Sequence, residues 1–329
     1  MELVCPAGNY QSLVKAVDNG ANAVYIGLRN ETNARHFAGL NFSEKQIVKG
    51  VEYAHTRGCK VYCAINTFPR EQGWKQWRNS VDQAIDLGID TLILADVGVM
   101  DYTRQNYPDY PIHLSVQASS TNLESLNFYH QNFGIRRAVL PRVLSLAQVQ
   151  KLATKGPVEI EVFGFGSLCI MAEGRCYLSS YMTGESPNTK GVCSPAAYVR
   201  WEDKGDVLES RLNGLLIDRF GKDENAGYPT LCKGRFEVGG NIEHALEEPT
   251  SLNTMDILPE LHAANVAAIK IEGRQRSPAY VASVTQTWRE AIDLAVKHGE
   301  RVGCETIAKM AAFAEGKQTT IGAYERSWQ

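Results

Sequence analysis

KVYCAIN at 60–66, WKQWRNSVDQAIDLG at 74–88 and TLILAD at 91–96 give a short apolar run, a helical pattern closed by glycine, and a second apolar run. The two runs are rich in Val, Ile and Leu on both faces, as strands covered by helices on both sides are. The same unit repeats outward. Upstream lie ELVC (2–5) and AVYIG (23–27); downstream lie HLSVQ (113–117), AVLP (138–141) and VEIEVFG (158–164). Between them come YQSLVKAVDNG, SEKQIVKGVEYAHTRG, NLESLNFYHQNFG and SLAQVQKLATKG. Gly20, Gly58, Gly88, Gly134 and Gly156 close these helical patterns as C-cap glycines should, and Ser43, Asn122 and Ser145 are placed to cap their starts.

An eighth unit comes late: VAAIKIEG (266–273), then the long helical pattern PAYVASVTQTWREAIDLAVKHG. Strand–helix alternation with one chain-wide period predicts an α/β fold, a TIM-type (β/α)8 barrel with a cysteine-rich insertion between strands seven and eight. Residues 1–163 form the first part of the barrel, 164–250 the insertion, and 251–329 the end of the barrel with a polar tail, GKQTTIGAYERSWQ, of no clear pattern. A doubly wound open sheet has the same periodicity and stays open at this level.

The chain has 329 residues, 34 Lys and Arg against 37 Asp and Glu, and a net charge of -3. That balance gives no global reason to expect a nucleic-acid partner, although a local basic patch would suffice for one. The start, MELVCPAGNYQSL, lacks the pattern of a secretory signal, and no run of about 18 apolar residues predicts a membrane span. Eight cysteines without an export signal point to the reducing cytoplasm, where clustered thiols bind metal or act in catalysis.

In a TIM-type barrel the chemistry sits at the C-terminal ends of the strands. Those ends read Asn9, Asn66, Asp96, Gln117, Arg142, Glu161 and Glu272, with Arg274 just after. Any strand must end in something polar, so the ring carries more weight than any member. Asn66, Asp96, Gln117, Arg142, Glu272 and Arg274 are the candidate catalytic set. His36, in the loop after strand two, is the histidine best placed to face the same mouth.

Four further cysteines, Cys169, Cys176, Cys193 and Cys232, fall in one glycine- and proline-punctuated segment with spacing C-x6-C-x16-C-x38-C. The paired C-x2–4-C knuckles of zinc ribbons are absent. Iron–sulfur sites accept looser spacing, because four thiolates need only converge. A cluster, a zinc ion and unrelated thiols all remain open on spacing alone. Arg175, Lys190, Lys233 and Arg235 lie close in sequence and could offset thiolate charge, and Gly166, Ser167, Gly174, Gly191, Ser194 and Gly234 leave room for backbone amides. Cys5, Cys59, Cys63 and Cys304 sit in or beside apolar elements and read as ordinary thiols. No HExxH, P-loop, GxSxG or complete GxGxxG occurs.

The pattern ExFxxGSLCxxxxGxCxLS, on Glu161, Phe163, Gly166, Ser167, Leu168, Cys169, Gly174, Cys176, Leu178 and Ser179, resembles the signature of peptidase family U32. CPAGN (5–9), AVYIGL (23–28), INTF (65–68), SVQAS (115–119), LPRVLS (140–145) and KIEGRQRSPAYV (270–281) extend the resemblance over nearly the whole chain. NARHFAGLNF, CYLSSYMTGESPNT, NAGYPTLCKGR and HALEEPTSLNT make it most similar to the family's ubiquinone-biosynthesis branch. The resemblance implies a 4Fe–4S cluster on Cys169, Cys176, Cys193 and Cys232. It implies a heterodimer with the paralogue UbiV, work with the lipid-binding protein UbiT, and a hydrophobic ubiquinone precursor hydroxylated without molecular oxygen, with prephenate as oxygen donor. Other members hydroxylate tRNA or ribosomal RNA, so an RNA hydroxylase is the alternative, and a non-catalytic cluster-bearing scaffold a second. Peptidase activity is not expected. A dicarboxylate donor would suit Arg142, Arg274 and Arg276, because a guanidinium fork holds a carboxylate at two points.

Overall fold

The computed structural model describes residues 1–36, 39–169, 176–185, 187 and 192–325. Its centre is a ring of parallel strands: β1 (Glu2–Pro6), β2 (Ala23–Gly27), β3 (Lys60–Ile65), β4 (Thr91–Leu94), β5 (Ile112–Leu114), β6 (Arg137–Val139), β7 (Glu159–Ser167) and β8 (Ala268–Ile271). Each pairs with the next, and β8 pairs with both neighbours, Ala268 standing opposite Glu161 and Glu2. The sheet is therefore a closed TIM-type barrel, and the open-sheet alternative is excluded. Helices α1 (Tyr10–Asp18), α2 (Glu44–His55), α3 (Trp74–Asp86), α4 (Val97–Asn106), α5 (Leu123–Phe133) and α6 (Leu146–Lys155) alternate with the strands, and α7 (Pro278–His298) follows β8.

Local chemistry sets where these helices begin and end. Asn122 accepts the Ser125 N–H at the start of α5, and Ser145 with Gln148 forms a reciprocal capping box on α6. Ser43 is likewise paired with Gln46 ahead of α2. Gly134 closes α5 in the left-handed region at φ 58°. Gly156 differs from expectation: it leaves α6 in extended backbone, φ -72°, so no left-handed cap is needed there.

Side chains alternate along each strand. The outward set, including Leu3, Val24, Val61, Leu92, Ile160 and Ile269, joins the helices in one large core, while Val4, Ala23, Tyr25, Tyr62, Ile93 and Ala268 form a separate inner cluster. The interior also holds buried charges, unlike the apolar-on-both-faces reading. Lys270 Nζ lies 2.7 Å from Glu161 Oε1; Arg137 Nη1 lies 3.4 Å from Glu161 Oε2 and 2.8 Å from Glu2 Oε2. Arg137, Glu161 and Lys270 are all buried. Buried charges persist only when paired, and here a carboxylate sits between two cations.

Residues 168–267 connect β7 to β8 and carry a three-stranded antiparallel sheet (Val199–Asp203, Val207–Leu212, Leu215–Gly221) and a hairpin (Phe236–Val238, Asn241–Glu243). A further strand, Ser251–Asn253, lies antiparallel on the end of β7, Ser251 opposite Ser167. After α7 and α8 (Cys304–Ala311), Thr319–Thr320 pairs in parallel with that strand. Tyr324 is buried. The stretch that lacks a sequence pattern is thus built into the fold as far as Glu325. Among the described residues no helix is long and apolar enough to cross a membrane.

Candidate active site at the barrel mouth

Glu272 follows β8 directly and organises the mouth. Its Oε1 accepts from Arg35 Nη2 at 2.9 Å and its Oε2 from Arg142 Nη2 at 2.8 Å. Arg35 comes from the loop after β2 and Arg142 from the turn after β6, so one carboxylate ties three strand ends together. Burial works against the Glu272 charge, but Arg142 and Arg35 outweigh it and hold the carboxyl below its ordinary 4.5. Arg142 also stacks 3.5 Å from the centre of the Phe163 ring. Beside them β7 passes at Gly166, φ 143°, where a Cβ would stand 2.4 Å from Glu272 Cβ. Only glycine combines that backbone with that approach.

Arg274 is set deeper. It is 6% exposed, donates from Nη1 to Asn33 Oδ1 at 3.1 Å, and lies 5.7 Å from the Tyr25 ring centre. Tyr25 in turn donates its hydroxyl to the Ile271 carbonyl at 2.9 Å, while Lys270 Nζ approaches its ring to 4.1 Å. Among the described residues Arg274 has no carboxylate at ion-pair distance, and burial pushes its pKa down to about 10. Gly8 makes room for this turn: a Cβ there would fall 1.8 Å from the Arg274 carbonyl oxygen.

Other members of the predicted ring have local duties. Asn66 accepts the Ala34 N–H at 2.9 Å and donates to Ser115 Oγ at 3.0 Å; that same oxygen takes the Gln117 N–H at 3.2 Å. Asn66 thus braces the Arg35 loop against the loop that carries Gln117. Asp96 caps α4 through the Val99 N–H, and Asn9 caps α1 through the Ser12 N–H. Glu161 lies inside the barrel, below the rim. Arg276 is exposed, donates to the Phe313 carbonyl and stacks 4.6 Å from the Tyr280 ring centre. His36 is exposed.

Cys169, Cys176 and Cys232 are half-buried, and Cys193 keeps solvent access. Crowding by protein atoms raises the Cys193 pKa, the Arg35 guanidinium lowers it, and Cys176 and Cys232 raise it again. Burial raises Cys232; Thr230 lowers it, Cys169 raises it, Lys233 lowers it and Cys176 raises it. Cys232 therefore stands within electrostatic reach of the other three thiols, and Cys193 also reaches Arg35 and Glu272. Among the described residues no three His, Cys, Asp or Glu side chains are closed into a metal-holding group. Gly174, Arg175, Lys190 and Gly191 lie outside the described residues.

The cations expected near these thiols are partly committed elsewhere. Lys233 pairs with Glu315, and Arg235 with Glu224 and Asp218. Arg35 is the guanidinium that sequence reasoning missed; its position beside His36 in NARHFAGLNF was its one signal. Cys5, Cys59 and Cys63 are buried, each pushed up by burial to about 12, while Cys304 is exposed at the start of α8. Those three are inert packing thiols.

The model of peptidase family U32 matches residues 8–324. This chain belongs to peptidase family U32. Among U32 relatives, tRNA hydroxylation protein P of Escherichia coli (strain K12) is 32% identical over 318 residues, covering 89% of this chain and 68% of that protein. The 23S rRNA 5-hydroxycytidine C2501 synthase of the same strain is 28% identical over 300 residues, covering 90% of this chain and 40% of that protein. A collagenase of Porphyromonas gingivalis (strain ATCC BAA-308 / W83) is 30% identical over 304 residues, covering 89% of this chain and 65% of that protein. The U32 chain thus spans about two thirds, or less, of the length of these relatives.

Proposed function

We propose that this U32 chain is a hydroxylase subunit acting at the barrel mouth, without molecular oxygen, on the aromatic ring of a ubiquinone precursor. The observation that carries the reading is the juxtaposition at one mouth of a guanidinium–carboxylate lattice and a four-thiol set, joined through Arg35. Two of the three relatives reported above are named for RNA hydroxylation and the third as a collagenase; the first two support hydroxylation as the reaction class. The choice of a ubiquinone precursor rests on the branch-like motifs and on a net charge of -3. The second reading, an RNA hydroxylase, is favoured by the names of those relatives.

Cys169, Cys176, Cys193 and Cys232 would hold a 4Fe–4S cluster; an all-thiol donor set gathered around Cys232 suits it. Such a group supplies one-electron transfer when bound. The chain's own residues do the rest. Glu272 fixes Arg35 and Arg142, so neither must reorganise when a ligand arrives. Arg274 has guanidinium donors beyond the one given to Asn33, and these suit a carboxylate of a donor such as prephenate. Arg35 sets positive charge beside the thiols, which favours the thiolate form. UbiV as heterodimer partner and UbiT as lipid carrier belong to the same reading.

Anaerobic purification with iron, sulfide and zinc analysis tests it, with each of the four cysteines replaced in turn by alanine. Iron and sulfide together with a broad visible absorption, lost in every variant, is the expected result. Zinc at those thiols, or no metal, overturns the redox reading. Incubation with UbiV, prephenate and a precursor ring should then yield hydroxylated product. Hydroxylated RNA in its place, with retention on RNA that falls steeply with salt, would establish the second reading.

A further inference from the structure

The segment after α8 reaches back to the mouth at three points. Glu315 Oε2 receives Lys233 Nζ at 2.5 Å and the Ser167 hydroxyl at 3.1 Å, and the Glu315 N–H donates to Ser251 Oγ at 2.8 Å. A Cβ on Gly322 would meet Leu168 Cδ2 at 3.3 Å. Tyr324 is buried and within the field of Arg142. Lys233 and Leu168 are the immediate neighbours of Cys232 and Cys169. Nothing in the polar composition of 315–324 announces this, yet one short stretch touches the flanks of two thiols and the rim of the barrel.

We infer that Glu315 is a positioning residue for the thiol site, a latch that holds the Cys232 turn beside the other cysteines through Lys233 and Ser167. The Lys233 side chain is 6% exposed and that of Glu315 18%, so the pair is largely shielded from water. A shielded ion pair that loses one partner leaves the other charge buried and uncompensated. The turn around Lys233 is a single 3-10 turn from Leu231 to Lys233; its Cys232 and Lys233 carbonyls are bonded by the Glu247 N–H and by His244, each at 3.1 Å, and the latch ties its other side, through the Lys233 side chain, to the barrel rim. Removing the latch should therefore open that turn locally while the barrel stays closed. What the latched thiols bind rests on the function proposed above; the latch itself does not.

The test reads thiol accessibility in the full chain, stripped of metal by chelator under reducing conditions. Alkylation rates are followed site by site by peptide mass spectrometry, with exposed Cys304 as reference and buried Cys63 as a report on global unfolding. In E315Q and in K233M, Cys232 should react about tenfold faster while Cys63 stays protected. The two changes act through one pair, so the double variant should match the single ones. Unchanged Cys232 rates, or single effects that multiply in the double variant, overturn the latch. If Cys63 becomes reactive in E315Q, Ser167→Ala decides, since it removes one hydroxyl from Glu315 and should raise the Cys232 rate in the same direction. A wild-type protein that takes up no metal while the variants show faster Cys232 would leave the latch standing and remove the cluster. Metal bound normally with unchanged Cys232 rates would do the reverse.

Discussion

Arg142 Nη2 stands 2.8 Å from Glu272 Oε2, which places a guanidinium from the end of β6 on a carboxylate from the end of β8. Arg35 occupies the other oxygen, so Glu272 sets one negative charge between two guanidinium groups. Glu272→Gln removes the charge that these two contacts share and should cost about 2 kcal/mol in urea unfolding at neutral pH, below the usual figure for a fully buried pair because the Glu272 side chain is partly exposed. The folded-state pKa lies below 4.5. Its contribution is thus present above the ordinary carboxylate pKa and lost as pH falls through the folded value. The glutamine variant should lack that acid-side loss, and the two unfolding curves should converge at low pH.

Arg274 and Arg276 stand two residues apart and differ in what their guanidinium groups are doing. Arg274 gives one donor to Asn33 and has no carboxylate partner among the described residues; Arg276 lies outside the rim on Phe313 and Tyr280. Arg274→Lys should weaken prephenate binding about tenfold by calorimetry, because an ammonium cannot reproduce a two-point contact. Arg276→Lys should change it less than about threefold. Equal effects from the two would mean that the ligand does not enter the mouth.

Much of this was legible, for identifiable reasons. AVYIG is a buried parallel strand with no competing pattern, and β2 spans the same five residues. HLSVQ reads as one strand, but β5 stops at Leu114 because Ser115 turns the chain into a 3-10 turn by accepting the Gln117 N–H. Composition does not encode that turn. Glu272, Arg142 and Arg274 were found because they follow apolar runs. Asp96 and Asn9 follow such runs too, yet spend their side chains on helix caps, a distinction that needs the loop geometry. Arg35 precedes no strand and ends none, so periodicity had no means of selecting it. The charged interior was hidden because Arg137, Glu161 and Lys270 each look like a lone polar interruption until three strands are brought side by side.

That interior gives a stability prediction. Lys270→Met leaves Glu161 with Arg137 alone, at 3.4 Å, and should cost about 3 kcal/mol in urea unfolding. Adding Glu161→Gln to it should recover part of the loss, since a buried carboxylate without its ammonium is worse than neither. A double variant less stable than the sum of the single ones would mean that the pair does not act as a unit.

His113 gives the pH dependence that is easiest to separate. It is buried inside the barrel, edge-on to Tyr62 with ring centres 5.0 Å apart, and its Nδ1 has no hydrogen-bond partner among the described residues. Burial first, then the charges of Arg137 and Lys270, hold its pKa well below 6.5. The folded chain keeps this imidazole neutral where the unfolded chain takes up a proton. Stability from this group is therefore complete above about 6.5 and declines as pH falls below it, by up to about 1.4 kcal/mol per pH unit. His113→Phe preserves a ring against Tyr62 and removes the proton site. Between pH 7 and pH 5 the wild type should lose stability faster than the variant, measured by urea unfolding at several pH values. Because Glu272 and Glu2 titrate below 4.5, they contribute little over that interval. Parallel curves for the two proteins would show that the interior admits a charged imidazole after all, and that the Lys270–Glu161–Arg137 ladder rearranges to receive it.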